Sequence, residues 1–176
     1  APLDRRNEVW EEFKAKNPGV VEKARFGVVS DTTAIATADQ AKAALTANPD
    51  ITVVYAPYDE FARGVKLAAA DLGIADRLKI YSADVSTADI QEIVEDGSPW
   101  VATVATNPAV VGAVSVRAVA KLIAGEEVPG HVVVEPALLT QDELRASGVT
   151  TIEELAEKVP AFNHSDAAPI AWAPAD

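Results

Sequence analysis

Three apolar runs of strand length end in polar side chains. Tyr58-Asp59 follows residues 51–56, Asp84 follows 78–83, and Thr106-Asn107 follows 100–105. Arg6, with Arg5 beside it, lies on a charged stretch of helical character near the start. An aspartate accepts hydrogen bonds from paired hydroxyls, and an arginine donates a planar fork. A tyrosine ring offers a flat face to an apolar surface. Brought together, Arg6, Tyr58, Asp59, Asp84 and Thr106 describe a site for a polar, uncharged small molecule. Each position also has a purely structural reading. Asp59 and Asn107 suit helix N-caps, Asp84 can cap its own loop, Tyr58 can pack on the surface, and Arg6 can stay solvated on its helix.

The elements that would position these groups alternate. Trp10, Phe13 and the charges around them predict a helix over 5–16, stopped by Asn17-Pro18-Gly19. A β-rich run at 25–30 precedes a helix at 38–47 with Ala41, Ala44 and Leu45 on one face. The continuous apolar run 51–56 predicts a strand buried on both faces. Phe61, Val65, Ala68 and Leu72 then recur at helical spacing up to Gly73. After the strand at 78–83, Ser86 caps a helix carrying Ile90, Ile93 and Val94. After the strand at 100–105, Asn107-Pro108 starts a helix with Val111, Val114, Ala118 and Ile123, reaching Gly125. A last strand is expected at 132–135 and a short helix at 151–159, with Thr151 and Glu154 at capping-box spacing. The Ala- and Pro-rich tail from Asn163 reads as loose. Repeated β-then-α units imply an α/β fold with a mainly parallel sheet flanked by helices. In such sheets ligands bind beyond the carboxyl ends of the strands, where the polar groups fall.

Composition narrows the function. The net charge of −12 argues against nucleic acid, whose phosphates need concentrated Lys and Arg, and against anionic lipid. With no cysteine, thiol chemistry and Cys-based zinc sites are excluded. His131 opens the expected last strand and His164 lies in the tail, so neither has a metal-ligand partner at helical spacing. There is no Gly-rich phosphate loop and no nucleophile elbow. No cofactor is implied and no enzyme is expected. No apolar run approaches the ~20 residues of a membrane span. The chain starts at Ala1 and contains no methionine, which predicts that further residues precede it.

The order of motifs resembles a known family. Asn48-Pro49-Asp50-Ile51, Tyr55-Ala56-Pro57-Tyr58-Asp59-Glu60 and Ala62-x-Gly64 are similar to the type I periplasmic sugar-binding proteins of ABC importers. The likeness continues through residues 80–84, 93–97, 102–108, Gly112 and 121–129 to Thr140, covering about 4–140. The resemblance implies flavodoxin-like lobes, of which this chain is a partial set. It implies that residues 1–104 belong to the second lobe. Residues 105–140 would cross the hinge and add a helix and a strand to the first lobe, and 141–176 form an extension. It implies that Arg6 (Arg5 in the competing register), Tyr58, Asp84 and Thr106 face the ligand. Tyr58 and Thr106 stand where ribose-type receptors carry Asn and Gln, and no aromatic occurs near Thr32, so the pocket is re-lined relative to ribose receptors.

The implied function is a solute-binding component that takes a sugar or polyol and presents it to an ABC permease. Its place would be periplasmic or extracytoplasmic, with a lipid anchor reachable through a preceding segment. The implied partner is the missing N-terminal segment or a second chain, needed to cover apolar faces such as that of Val111 and Val114. The competing reading is the effector domain of a LacI-like regulator; a secretory signal or a helix-turn-helix upstream of Ala1 would separate the two.

Overall fold

A computed structural model describes residues 2–169 of the chain; Ala1 and the tail from residue 170 onward, part of the segment read as loose, lie outside the described residues. Three βα units follow two leading helices, α1 (Pro2–Lys16) and α2 (Thr33–Ala47). They are β1 (Val53–Ala56) with α3 (Asp59–Asp71), β2 (Lys79–Ala83) with α4 (Thr87–Val94), and β3 (Trp100–Ala105) with α5 (Pro108–Ile123). The chain closes with β4 (Ala137–Thr140), α6 (Gln141–Ser147), α7 (Ile152–Lys158) and α8 (Pro160–Asn163). The sheet order is β1-β2-β3-β4; the first three strands are parallel and β4 runs antiparallel to β3.

Residues opposite one another in a ladder share a face. Ala56, Ser82, Thr103 and Leu139 are opposed in turn, and all four are buried on the side that α3, α4 and α6 cover. Trp100 is wholly buried there, and its indole N–H is satisfied by Ser82 Oγ at 2.8 Å. Between Ile80 and Tyr81 the partner jumps from Trp100 to Ala102, a bulge that skips Val101. On the opposite side Tyr55, Tyr81, Val104 and Leu138 stay exposed.

The helix faces follow the sequence in the middle of the chain. Phe61, Val65, Ala68, Ile90 and Ile93 are buried, while Leu72 reaches the surface. Ser86 and Asp89 form a reciprocal capping box, and Asn107 caps α5 with Pro108 in its first turn. Of the face expected on α5, Val114 alone is buried; Val111, Val116, Val119, Leu122 and Ile123 are exposed.

Two expected strands do not form. Residues 25–30 and 132–135 carry no ladder, and the last strand lies at 137–140 instead, joined to β3 in the same sheet as β1 and β2. A strand exists only through its neighbour's hydrogen bonds, and neither run finds a neighbour among the described residues. The sequence reading also passed over α6. Thr140 Oγ1 caps it, Glu143 closes the box, and Leu144, Val149, Leu155 and Phe162 join the core. The Gln141 amide meets the carbonyls of Ile93, Ser98 and Trp100 at 2.7–3.1 Å. Residues 163–169 run beside α5, where Arg117 and Lys121 donate to their carbonyls.

The tightest joint is between α2 and α3. A Cβ on Gly64 would stand 2.5 Å from Ala34 O and 2.7 Å from Thr37 Cβ. Gly64→Ala should therefore destabilise the chain by about 1–3 kcal/mol through overpacking. Gly112, with nothing near its Cβ position, should gain roughly 0.5–1 kcal/mol on replacement by Ala in the α5 interior. Urea denaturation of the two variants checks both signs.

Candidate functional site

Because β1, β2 and β3 are parallel, their carboxyl ends share one rim. Pro57 to Asp59, Asp84 and Thr106 follow those ends directly. Arg6 reaches the rim from α1. Its guanidinium donates to Asp84 Oδ2 at 2.6 Å, to Asp84 Oδ1 at 2.7 Å and to the Pro57 carbonyl at 2.6 Å. This is a two-pronged ion pair, the strongest geometry for these groups. The hydrogen bond to Asp84 raises the Arg6 pKa above its ordinary value, against the opposing effect of burial. Asp84 has φ +76°, the left-handed region, and its N–H donates to Val104 O at 2.9 Å.

What holds Arg6 in place is the rest of α1, a helix that buries no residue. The Trp10 ring stacks on Tyr55 of β1 at 5.3 Å and on Phe13 at 5.6 Å. Its N–H donates to Glu22 Oε2 at 2.8 Å, and Lys14 and Arg25 hold the same carboxylate. Those cations keep Glu22 far below the usual carboxylate range, with Arg25 contributing most. Glu22 and Arg25 thus pin the segment after α1 back onto that helix. This clip, and the role of Trp10, escaped the sequence reading because the partners are remote or irregular in register.

Asp59 is not the N-cap expected from sequence. Tyr58 occupies that position, and Asp59 is the first helical residue, its Oδ1 accepting from the N–H of Glu60 at 2.8 Å. Its carboxyl lies close enough to the fully buried Asp89 of α4 for the two to titrate together. Asp89 Oδ2 accepts from Ser86 N–H at 2.7 Å and Ser86 Oγ at 2.6 Å, while Oδ1 meets no fixed donor. Two carboxyls in contact hold one proton more easily than none. Burial, then the Asp89 charge, pushes Asp59 up to about 7, and burial also raises Asp89. The Ser86-x-x-Asp89 spacing was the signal that could have exposed Asp89.

Tyr58 is half-buried with its ring edge-on to Phe61 at 5.6 Å. Thr106 is exposed, and its hydroxyl makes no hydrogen bond among the described residues. Asn107 is a cap, its Oδ1 accepting from Ala109 N–H at 2.9 Å. The structure therefore joins Arg6 to Asp84, sets Tyr58 and Asp59 beside them, and leaves Thr106 at the end of the adjacent strand. Among the described residues no group of three His, Cys, Asp or Glu could hold a metal. Arg6 supplies donors and Asp84 acceptors, which a polyhydroxylated ligand can share.

The match to a known family decides the relationship. Residues 2–127 fit the family described as periplasmic binding protein domain. The chain belongs to that family. Among solved structures it is similar to a 5-methylthioribose transporter solute-binding protein from Thermotoga lettingae, with 40% identity and a TM-score of 0.87. The match covers 98% of this chain and 55% of that one. It is also similar to a sugar ABC transporter protein from Yersinia enterocolitica, with 33% identity, a TM-score of 0.82, and coverage of 94% and 50%. A solute-binding protein from Agrobacterium vitis with bound allitol matches at 25% identity and TM-score 0.67, covering 82% of this chain and 49% of that one. The chain thus spans about half the length of these relatives. All three are described as transport or solute-binding proteins, none as an enzyme. Membership implies a periplasmic or extracytoplasmic location. No protein of curated function matches the sequence.

The Asp59–Asp89 pair makes stability depend on pH. A folded-state pKa raised to about 7 means that the unfolded chain ionises first as pH rises, so stability falls through the window from about 4 to about 7. Asp59→Asn keeps an acceptor for Glu60 N–H and aims an amide donor at Asp89. Its melting temperature should rise relative to the parent between about pH 4 and about pH 8. A difference that does not vary with pH would count against the shared proton.

Proposed function

We propose that this family member is the distal half of a two-lobed solute-binding protein that takes a sugar or polyol for an ABC permease. The observation that carries the reading is the Arg6–Asp84 fork at the carboxyl rim of the parallel sheet. The fork is about a third exposed, so it is open to a ligand from above. Arg6 would donate to ligand oxygens and Asp84 would accept from ligand hydroxyls, with Tyr58, Asp59 and Thr106 completing the near wall.

Residues up to 104 form the second lobe in this reading. The crossing expected over 105–140 is shortened to 105–136, because β4 pairs with β3 in this lobe's own sheet; α5, which buries only Val114 against the body, is its first-lobe part. A preceding segment or a second chain would supply the first lobe and cover the exposed α5 residues. Hinge closure then needs ligand contacts from both lobes. A lipid anchor on a preceding segment would keep the receptor near its permease. The relative that binds 5-methylthioribose is 40% identical, so pentoses with an altered C5 lead the ligand panel.

Isothermal titration of a receptor containing this chain and a first lobe tests the reading. Heat is expected with at least one of 5-methylthioribose, ribose, allose or allitol. Arg6→Ala and Asp84→Ala should each weaken binding on the order of 10- to 100-fold, the usual effect of losing hydrogen bonds to a charged group. Silence across the panel would sink the sugar reading.

A further inference from the structure

Asp84 adopts a backbone conformation that L-residues avoid, with φ +76°. It leaves the sheet at that point, so the ladder no longer dictates its geometry. Two hydrogen bonds hold it. Its N–H donates to Val104 O at 2.9 Å, and its carbonyl accepts from Thr103 Oγ1 at 2.7 Å. Thr103 is 1% exposed, and its ladder neighbours are Ser82 and Leu139. Valine would fill the same space among those neighbours without a hydroxyl to desolvate, so packing alone does not call for threonine. Removing the hydroxyl would leave the Asp84 carbonyl with one partner fewer and the peptide after Asp84 free to relax into an ordinary region. That rotation would swing the carboxylate off the line to Arg6.

We infer that Thr103 is a positioning residue for ligand binding: its hydroxyl clamps the Asp84 carbonyl, fixes the left-handed turn, and so aims the Asp84 carboxylate at Arg6 and the ligand. This rests on the reading of Arg6 and Asp84 as ligand contacts. Thr103 touches no ligand itself, and the resemblance and the strand pattern are both silent about it.

The test uses Thr103→Val, Thr103→Ala and Thr103→Ser, with two readouts. One is sugar titration of the two-lobed receptor. The other is the Arg6 guanidinium resonances of the ligand-free protein in nitrogen-15 NMR, which resolve separately while both prongs hold Asp84. Loss of the clamp should weaken binding by about tenfold in the Val and Ala variants, and should average the Arg6 signals. Thr103→Ser, which keeps the hydroxyl, should bind within about threefold of the parent and keep resolved signals. A purely structural threonine would lower the melting temperature and leave both readouts unmoved in the folded variants. Unmoved Arg6 signals, or unchanged affinity in Val and Ala, overturn the inference. If Thr103→Val does not fold, Thr103→Ala carries the same expectation. If the parent receptor binds no sugar in the panel, the proposed function falls by itself, and the Arg6 signals alone decide whether Thr103 positions the pair.

Discussion

The fork between Arg6 and Asp84 ties together parts of the chain that have little else in common. Arg6 sits on a helix with no buried residue, and Asp84 on a strained turn between β2 and α4. With only Leu3 packed part-buried against the core, this helix gains little from the hydrophobic effect, so its place is set by specific contacts. Here those are the fork, the Trp10–Tyr55 stack and the Glu22 clip. A partly exposed ion pair adds little stability. Its worth lies in geometry: it fixes a donor set and an acceptor set at one place on the rim. That is what a receptor for a hydroxylated ligand requires, because a pre-oriented site spends less binding energy on ordering side chains.

Behind the fork lies a second layer of polar groups, centred on a buried carboxylate. Asp89 is wholly buried, its Oδ1 has no hydrogen-bond partner, and its charge raises the pKa of Asp59. Arg63, on the same helix as Asp59, is held by Glu60 and by Glu92 of α4. The joint between α3 and α4 is therefore electrostatic as well as apolar. The rim carries an excess of carboxylates in a chain of net charge −12, and one proton shared by Asp59 and Asp89 relieves part of the repulsion near Asp84.

Three features share one physical cause. Among the described residues, 25–30 and 132–135 have strand composition but no ladder, β1 has an open edge, and α5 exposes most of its apolar side chains. Strands and amphipathic helices are completed by what packs on them.

Much of this was legible in the sequence. The apolar run 100–105 became β3 without a shift, because a strand buried on one side and flanked by Ser98-Pro99 and Asn107-Pro108 has little freedom of extent. Ser86 and Asn107 capped as their types demand, since a helix start needs a local side-chain acceptor. Local chemistry over three or four residues, and periodicity over ten, are properties of sequence alone, and so is the family likeness of the ordered motifs. Tertiary structure decided what depends on residues far apart. It alone paired Arg6 with Asp84 across 78 positions, turned Asp59 from a cap into the partner of Asp89, and set Thr103 under the Asp84 carbonyl. It alone moved the last strand to 137–140, where β3 offered an open edge. Side chains at a rim are chosen by their neighbours in space, and a linear pattern records only their neighbours in the chain.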